Sequence, residues 1–442
     1  MDNTLETKPV KKLLISLIIP SLLTVLVSGS YNIVDGIFIG QKLGVAGSSA
    51  NTYVFMIYAL VYSFSTLASQ GTASLITLYS GKKEHKNVII TLKRGLLLSV
   101  AIAVVQSLLI WFLLPQITHL FGAEDKYFQS IREFSLVFLV GSPFYFVAHT
   151  LLYSIRSLGK IKVILIINCI AFLTNTIVGA TLILKLNLGF TGSALATIIA
   201  NIVVCTLAIR NCIPLLSGKW NDIPYVIKIK KLLSIVNMGL PFFLTSSFSV
   251  ILLSLYNRIG FNYGGVYGLA TLSIVSSIYR YIISLMNAIT TGIQPVVSYN
   301  YGAKKIDRVR ESLIYSLKIS TVFTTLLFII IELFSKFVIQ MFIPTNEVFI
   351  NYASMGLRIV MLSLPLQGII NIGTNYFQYI NNPKMSTTLV ILRQVIFQVP
   401  LAILLPKIVN IEGLWTSYAM SDLLICIIIV VLLYKSKNEN AK

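Results

Sequence analysis

"KKLLISLIIPSLL" at residues 11–23 returns as "KKLLSIVNMGLPFFL" at 230–244, with Pro20 answered by Pro241. A displacement of about 220 residues also relates "LYSGKKEHKNV" (78–88) to "NYGAKKIDRV" (300–309). The same displacement relates "VGSPF" around Pro143 to "LSLPL" around Pro365, and "RSLGKIK" (156–162) to "QYINNPK" (378–384). A further pair is "GFTGSALAT" (189–197) with "NIEGLWTS" (410–417). Chance matches would scatter in offset, and these do not. The chain is one unit written twice.

Composition says what the unit is made of. Of the 442 residues, 56% are hydrophobic and only 11% charged, whereas soluble domains carry about 25% charged residues. Together with a mean hydropathy of +0.84, this describes an integral membrane protein. Apolar stretches of span length fall at 13–37, 50–79, 95–121, 128–154, 160–184, 190–211, 232–257, 266–299, 312–341, 349–377, 385–406 and 412–434. They lack the polar/apolar alternation of a barrel, and lipid tolerates no open strand edge. The expected fold is therefore all-α, a polytopic membrane protein of twelve transmembrane helices in two six-helix bundles. Six is even, so both copies run in the same orientation, related by a pseudo-two-fold axis along the membrane normal. The expected divisions are 1–211 for the first bundle, 212–230 for a cytoplasmic linker and 231–442 for the second. Two such bundles facing one another would enclose a cleft, and rocking would open it to each side in turn.

The net charge of +20 would suggest nucleic acid in a soluble chain. Here the cations are placed for topology. Lys82, Lys83, Lys86, Lys93 and Arg94 gather on the same expected side as Lys304, Lys305, Arg308 and Arg310. The opposite side holds few, among them Lys42, Arg132, Lys185 and Lys407. This positive-inside asymmetry puts both termini in the cytoplasm and the basic face against anionic lipid. "MDNTLETKPVKK" is acidic before its lysines, unlike a cleavable signal peptide. The four cysteines form no paired spacing and read as small hydrophobes. No metal cluster, paired carboxylates or nucleophile with a base appears in the short loops, so no enzyme and no cofactor is expected.

Charges inside the spans demand a reason. Asp35 interrupts the run "YNIVDGIFIG" (31–40), and an ionised carboxylate at the bilayer centre costs roughly 2.5–3.5 kcal/mol. Along a straight helix it lies about 34 Å from Lys12, which allows an interfacial reading. Pro20 offers a bend, so Pro20 and its repeat Pro241 are candidate structural or gating positions. Arg393 and Asp422 both come near the midplane on consecutive antiparallel spans. There they can neutralise one another as a structural ion pair, with gating as the sharper alternative. Glu332 precedes Lys336 by four residues, the favourable order for a surface pair. Arg280 and Arg358 are expected to snorkel, and His149 to be a packed core histidine. Tyr31, Tyr145, Tyr256 and Tyr279 are candidates to line a cation-binding cleft through cation–π contact, against packing or interfacial anchoring.

"YNIVDGIFIGQKLG", "GFTGSALAT", "TTGIQPVVSYNYGAKKIDRV", "QYINNPK" and "LRQVIFQVPLAILLP…EGLW" resemble, in that order and spacing, the multidrug and toxin extrusion (MATE) family. The resemblance covers nearly the whole chain. It implies a twelve-helix exporter that exchanges inward Na⁺ or H⁺ for outward organic cations. It also implies an ion-coupling cluster in the first bundle, here Asp35, Asn175 and Thr197. The family's second acid is missing, because "NTIVGA" has Gly179 at that position.

The expected function is thus secondary antiport of organic cations or amphipathic drugs, by a monomer in the cell membrane, with H⁺ or Na⁺ as the only coupling partner. The rival is a flippase for lipid-linked oligosaccharides, whose pyrophosphate would call on Arg280, Arg358 and Arg393.

Overall fold

The computed structural model describes residues 4–216, 228–343 and 346–439. Among the described residues the chain is helical throughout, with no strand. After a one-turn helix at Thr4–Thr7 come α1 (Val10–Gly44), α2 (Ala46–Gly81), α3 (His85–Leu120), α4 (Asp125–Ser157), α5 (Ile161–Lys185) and α6 (Gly189–Cys212). A 74-residue helical stretch, Ile229–Gly302, is broken at Gly265 into α7 (229–264) and α8 (266–302). The second half closes with α9 (Ile306–Gln340), α10 (Glu347–Tyr379), α11 (Pro383–Leu404) and α12 (Pro406–Lys435). With that break counted, the eleven long apolar helices become the twelve spans. The chain is a multi-pass membrane protein.

Helices are the required answer to this composition, because a helix satisfies its own backbone where water cannot. Their 22 to 37 residues exceed the ~20 that a bilayer needs. Ser and Thr inside them turn back on their own helix. Thr24 Oγ1 donates to the carbonyl of Pro20 at 2.8 Å, and Thr245 repeats that bond on Pro241 at 2.8 Å. Both helices continue through their proline.

The duplication is written in the backbone. Gly44 (φ 64°, ψ −153°) ends α1 and Gly265 (φ 56°, ψ −147°) ends α7, a region of dihedral space that only glycine enters freely. Lys83 and Lys304 share a left-handed φ of 60° and 58° at the corners after α2 and α8. Asn410, at φ 52°, stands where the first copy has Gly189 at φ 49°.

Two compact units are present: Met1–Ser247 with Gln294–Lys304, and Phe248–Ile293 with Lys305–Lys442. Of the expected linker 212–230, residues 217–227 lie outside the described ones. In the first unit Ile57, Val61, Ile131, Phe138 and Phe190 form one buried core, and Ile76, Leu92, Leu151 and Ile164 a second. Close helix crossings in this unit run over glycine. A Cβ on Gly81 would strike the carbonyl of Tyr299, and one on Gly302 would strike that of Leu78. These two contacts exchange with one another under the repeat. Gln294 Nε2 adds a hydrogen bond to Ser74 Oγ at 3.0 Å. The second unit packs Tyr256, Leu272, Leu357, Met361 and Trp415 into its core.

Candidate functional site

Asp35 sits half-buried on α1, and its Oδ2 accepts a hydrogen bond from the hydroxyl of Ser193. Ser193 belongs to the opening turns of α6, which starts at Gly189 after the left-handed Asn187. Asn51 on α2 lies beside the next residue, its amide nitrogen 3.4 Å from where a Cβ on Gly36 would be.

Gly179 on α5 faces the same junction. A Cβ there would lie 3.7 Å from both Ala196 on α6 and the Phe38 ring on α1. Asn175 is buried one turn earlier on that face of α5. Thr197 stands one turn beyond Ser193, and its carbonyl accepts from Asn201 at 2.7 Å. α1 and α6 thus meet at Asp35, and α5 packs against both at Gly179. Ser193 is the partner that sequence reading missed, although it lies one turn before Thr197 within "GFTGSALAT".

A second polar centre lies in the second unit. Arg393 Nε donates to Asp422 Oδ1 at 2.9 Å, joining α11 to α12. The other carboxylate oxygen accepts from Gln367 on α10, whose amide nitrogen also reaches Tyr279 Oη at 2.7 Å. Asn371 donates to Gln367 Oε1 at 3.0 Å, extending the chain by one turn. Arg393 falls where α11 passes into a π-helical stretch, Leu392–Gln398. Pro20 and Pro241 lie elsewhere, within continuous helices.

Tyr145 is buried in the first core, with its ring 4.2 Å from His149 and its hydroxyl 3.3 Å from that of Tyr58. Tyr256 is also buried, 2.7 Å from Ser417 Oγ, with its ring 4.5 Å from Tyr418. Tyr279 is half-buried and shares the Tyr418 ring at 5.5 Å. The side chain of Tyr31 lies outside the described residues.

One expectation is corrected. Glu332 pairs with Arg358 rather than with Lys336. Arg358 reaches it from the neighbouring α10, and the guanidinium fork binds a carboxylate better than a lysine on the same helix. Arg280 lies exposed, its Nη2 3.0 Å from Ser277 Oγ.

A MatE family model matches residues 20–181 and 240–404, one stretch in each copy and most of the chain. The chain is a MATE family transporter. Like the family it belongs to, it moves solutes across a membrane and is not an enzyme. It is 20% identical over 437 residues to a Shewanella oneidensis protein named "FAD transporter", covering 95% of this chain and 93% of that one. It is 22% identical to the multidrug export protein MepA of Staphylococcus saprophyticus, over 94% and 92% of the two chains. Among solved structures, a MATE protein in the bent conformation superimposes with a TM-score of 0.90 at 19% identity, covering 99% of each chain. That likeness is one of fold.

Proposed function

We propose that this MATE transporter exports organic cations or other amphipathic compounds across the cytoplasmic membrane by alternating access, in exchange for inward H⁺ or Na⁺. Both termini lie in the cytoplasm, as the placement of the cations argues. The observation that carries the reading is the bond between Asp35 on α1 and Ser193 on α6. A half-buried acid in a membrane-spanning helix, held by a hydroxyl, is a group whose charge can be cancelled by an incoming proton or sodium ion. Asn175, one turn from Gly179 on α5, and Thr197, one turn from Ser193 on α6, are the oxygen-bearing side chains we assign as further ligands. Cancelling that charge changes what holds α1 against α6, and only such a difference between two states lets an ion drive a solute. The name of the MepA relative supports drugs as the substrate class. The flippase reading needed a cationic cavity, and Arg358 and Arg393 are each neutralised by an acid.

Dye efflux from membrane vesicles, with Na⁺ and proton gradients imposed separately, tests the proposal. Efflux should follow one gradient and vanish in Asp35→Asn. Undiminished gradient-driven efflux by that variant removes Asp35 from the mechanism.

A further inference from the structure

The two copies differ at one corner of the first unit. At the end of α8, buried Asn300 donates from Nδ2 to the carbonyl of Leu5 at 3.1 Å. Tyr299 Oη donates to Glu6 at 3.5 Å, and Val10, Leu13 and Leu14 of α1 are buried. The chain's own Thr4–Thr7 turn thus sits on this corner. Carried through the repeat, Asn300 becomes Tyr79, Val10 becomes Lys231, Leu13 becomes Ser234 and Leu14 becomes Ile235. A cation and a hydroxyl therefore replace two buried aliphatic side chains. At this equivalent corner a pocket opens, completed by Asn87, Thr91 and Arg94 of α3 over an apolar floor of Leu75 and Ile235.

We propose that this pocket binds a phosphate group. Arg94 offers a planar fork and Lys231 a point charge, the two side chains best suited to phosphate oxygens. Thr91 and Ser234 add hydroxyls, and Asn87 adds an amide whose nitrogen also donates to Glu84 at 2.6 Å on the rim. α7 begins at Ile229 and α3 at His85, so Lys231 and Asn87 stand in the first turns of two helices whose N-termini attract anions. Among the described residues, no acidic residue lines the pocket. It lies at the end of the apolar spans beside Lys82, Lys83 and Lys86, where phospholipid headgroups reach. Free phosphate shares the chemistry.

Two arms separate the sources, using the full chain purified in detergent. Retained phosphatidylglycerol, against phosphatidylcholine, is counted by native mass spectrometry. Inorganic phosphate, against chloride at equal ionic strength, is read by melting temperature. Wild type should retain phosphatidylglycerol. R94Q/K231V should weaken retention by about a hundredfold, at roughly tenfold for each lost charge-assisted contact. K231V alone, at an exposed position, should weaken it about tenfold with the melting temperature unchanged, and Arg94→Lys should retain most of it. K82Q/K86Q should change it little. A response to inorganic phosphate alone, abolished in R94Q/K231V, keeps the site and gives it a soluble ligand. Full retention in R94Q/K231V with no phosphate response, or an equal loss in K82Q/K86Q, overturns the proposal in favour of diffuse surface charge.

Discussion

Arg393 and Asp422 form an ion pair at 2.9 Å in which the carboxylate side chain is only 3% exposed. Gln367 takes its other oxygen, so the acid is satisfied from two helices besides its own. Removing one partner alone strands a buried charge, which costs about 3–5 kcal/mol. Arg393→Met or Asp422→Leu should each lower the melting temperature sharply, and the double variant should recover most of the loss. A double-mutant cycle in detergent measures this, and additive losses would show the pair to be uncoupled.

Asp35→Asn keeps the size and hydrogen-bonding capacity of the site but cannot be charged. The variant should insert and melt like wild type while losing ion-driven efflux. Ser193→Ala removes the donor to that carboxylate, a charge-assisted bond worth about 1.5–3 kcal/mol. Ion-driven efflux should fall about tenfold or more, whereas Ser193→Thr, which keeps the hydroxyl, should retain most of it.

Asn410 occupies φ 52°, ψ −141°, a conformation that costs a non-glycine residue on the order of 1–3 kcal/mol. Asn410→Gly installs the residue that the first copy carries at Gly189, and should stabilise the protein by about 1 kcal/mol. Gly265→Ala, at φ 56°, should destabilise it by a similar amount or more. Thermal melts of the two variants should move in opposite directions.

Glu332 and Arg358 meet with side chains 28% and 56% exposed, where a pair contributes about 0–1 kcal/mol. Glu332→Gln should therefore lower stability by less than about 1 kcal/mol, and Lys336→Gln should leave it unchanged. A larger loss from the lysine variant would restore the pairing within α9.

The spans and the doubling were legible because hydropathy and a fixed offset are carried by many residues at once. Gly44 lies in the polar gap "QKLGVAGSSANT" (41–52) between the first two expected spans, and its partner Gly265 at the same offset marks both as corners. Pairings across helices were harder to read. Arg393 and Asp422 could be matched because depth in the bilayer is computable from rise per residue, and two lone charges at one depth leave few choices. Ser193 could not be matched to Asp35, since hydroxyls are abundant on these helices and most return to their own backbone. Glu332 misled because a local partner four residues on was available, and sequence spacing does not show which neighbouring helix brings a stronger one.

The paired glycines of α2 and α8 have a mechanical consequence. Where Gly81 rests on the Tyr299 carbonyl and Gly302 on that of Leu78, main chain bears directly on main chain. The separation of the two helices is therefore set by their backbones, and the added bulk of a single methyl group at either glycine would wedge them apart.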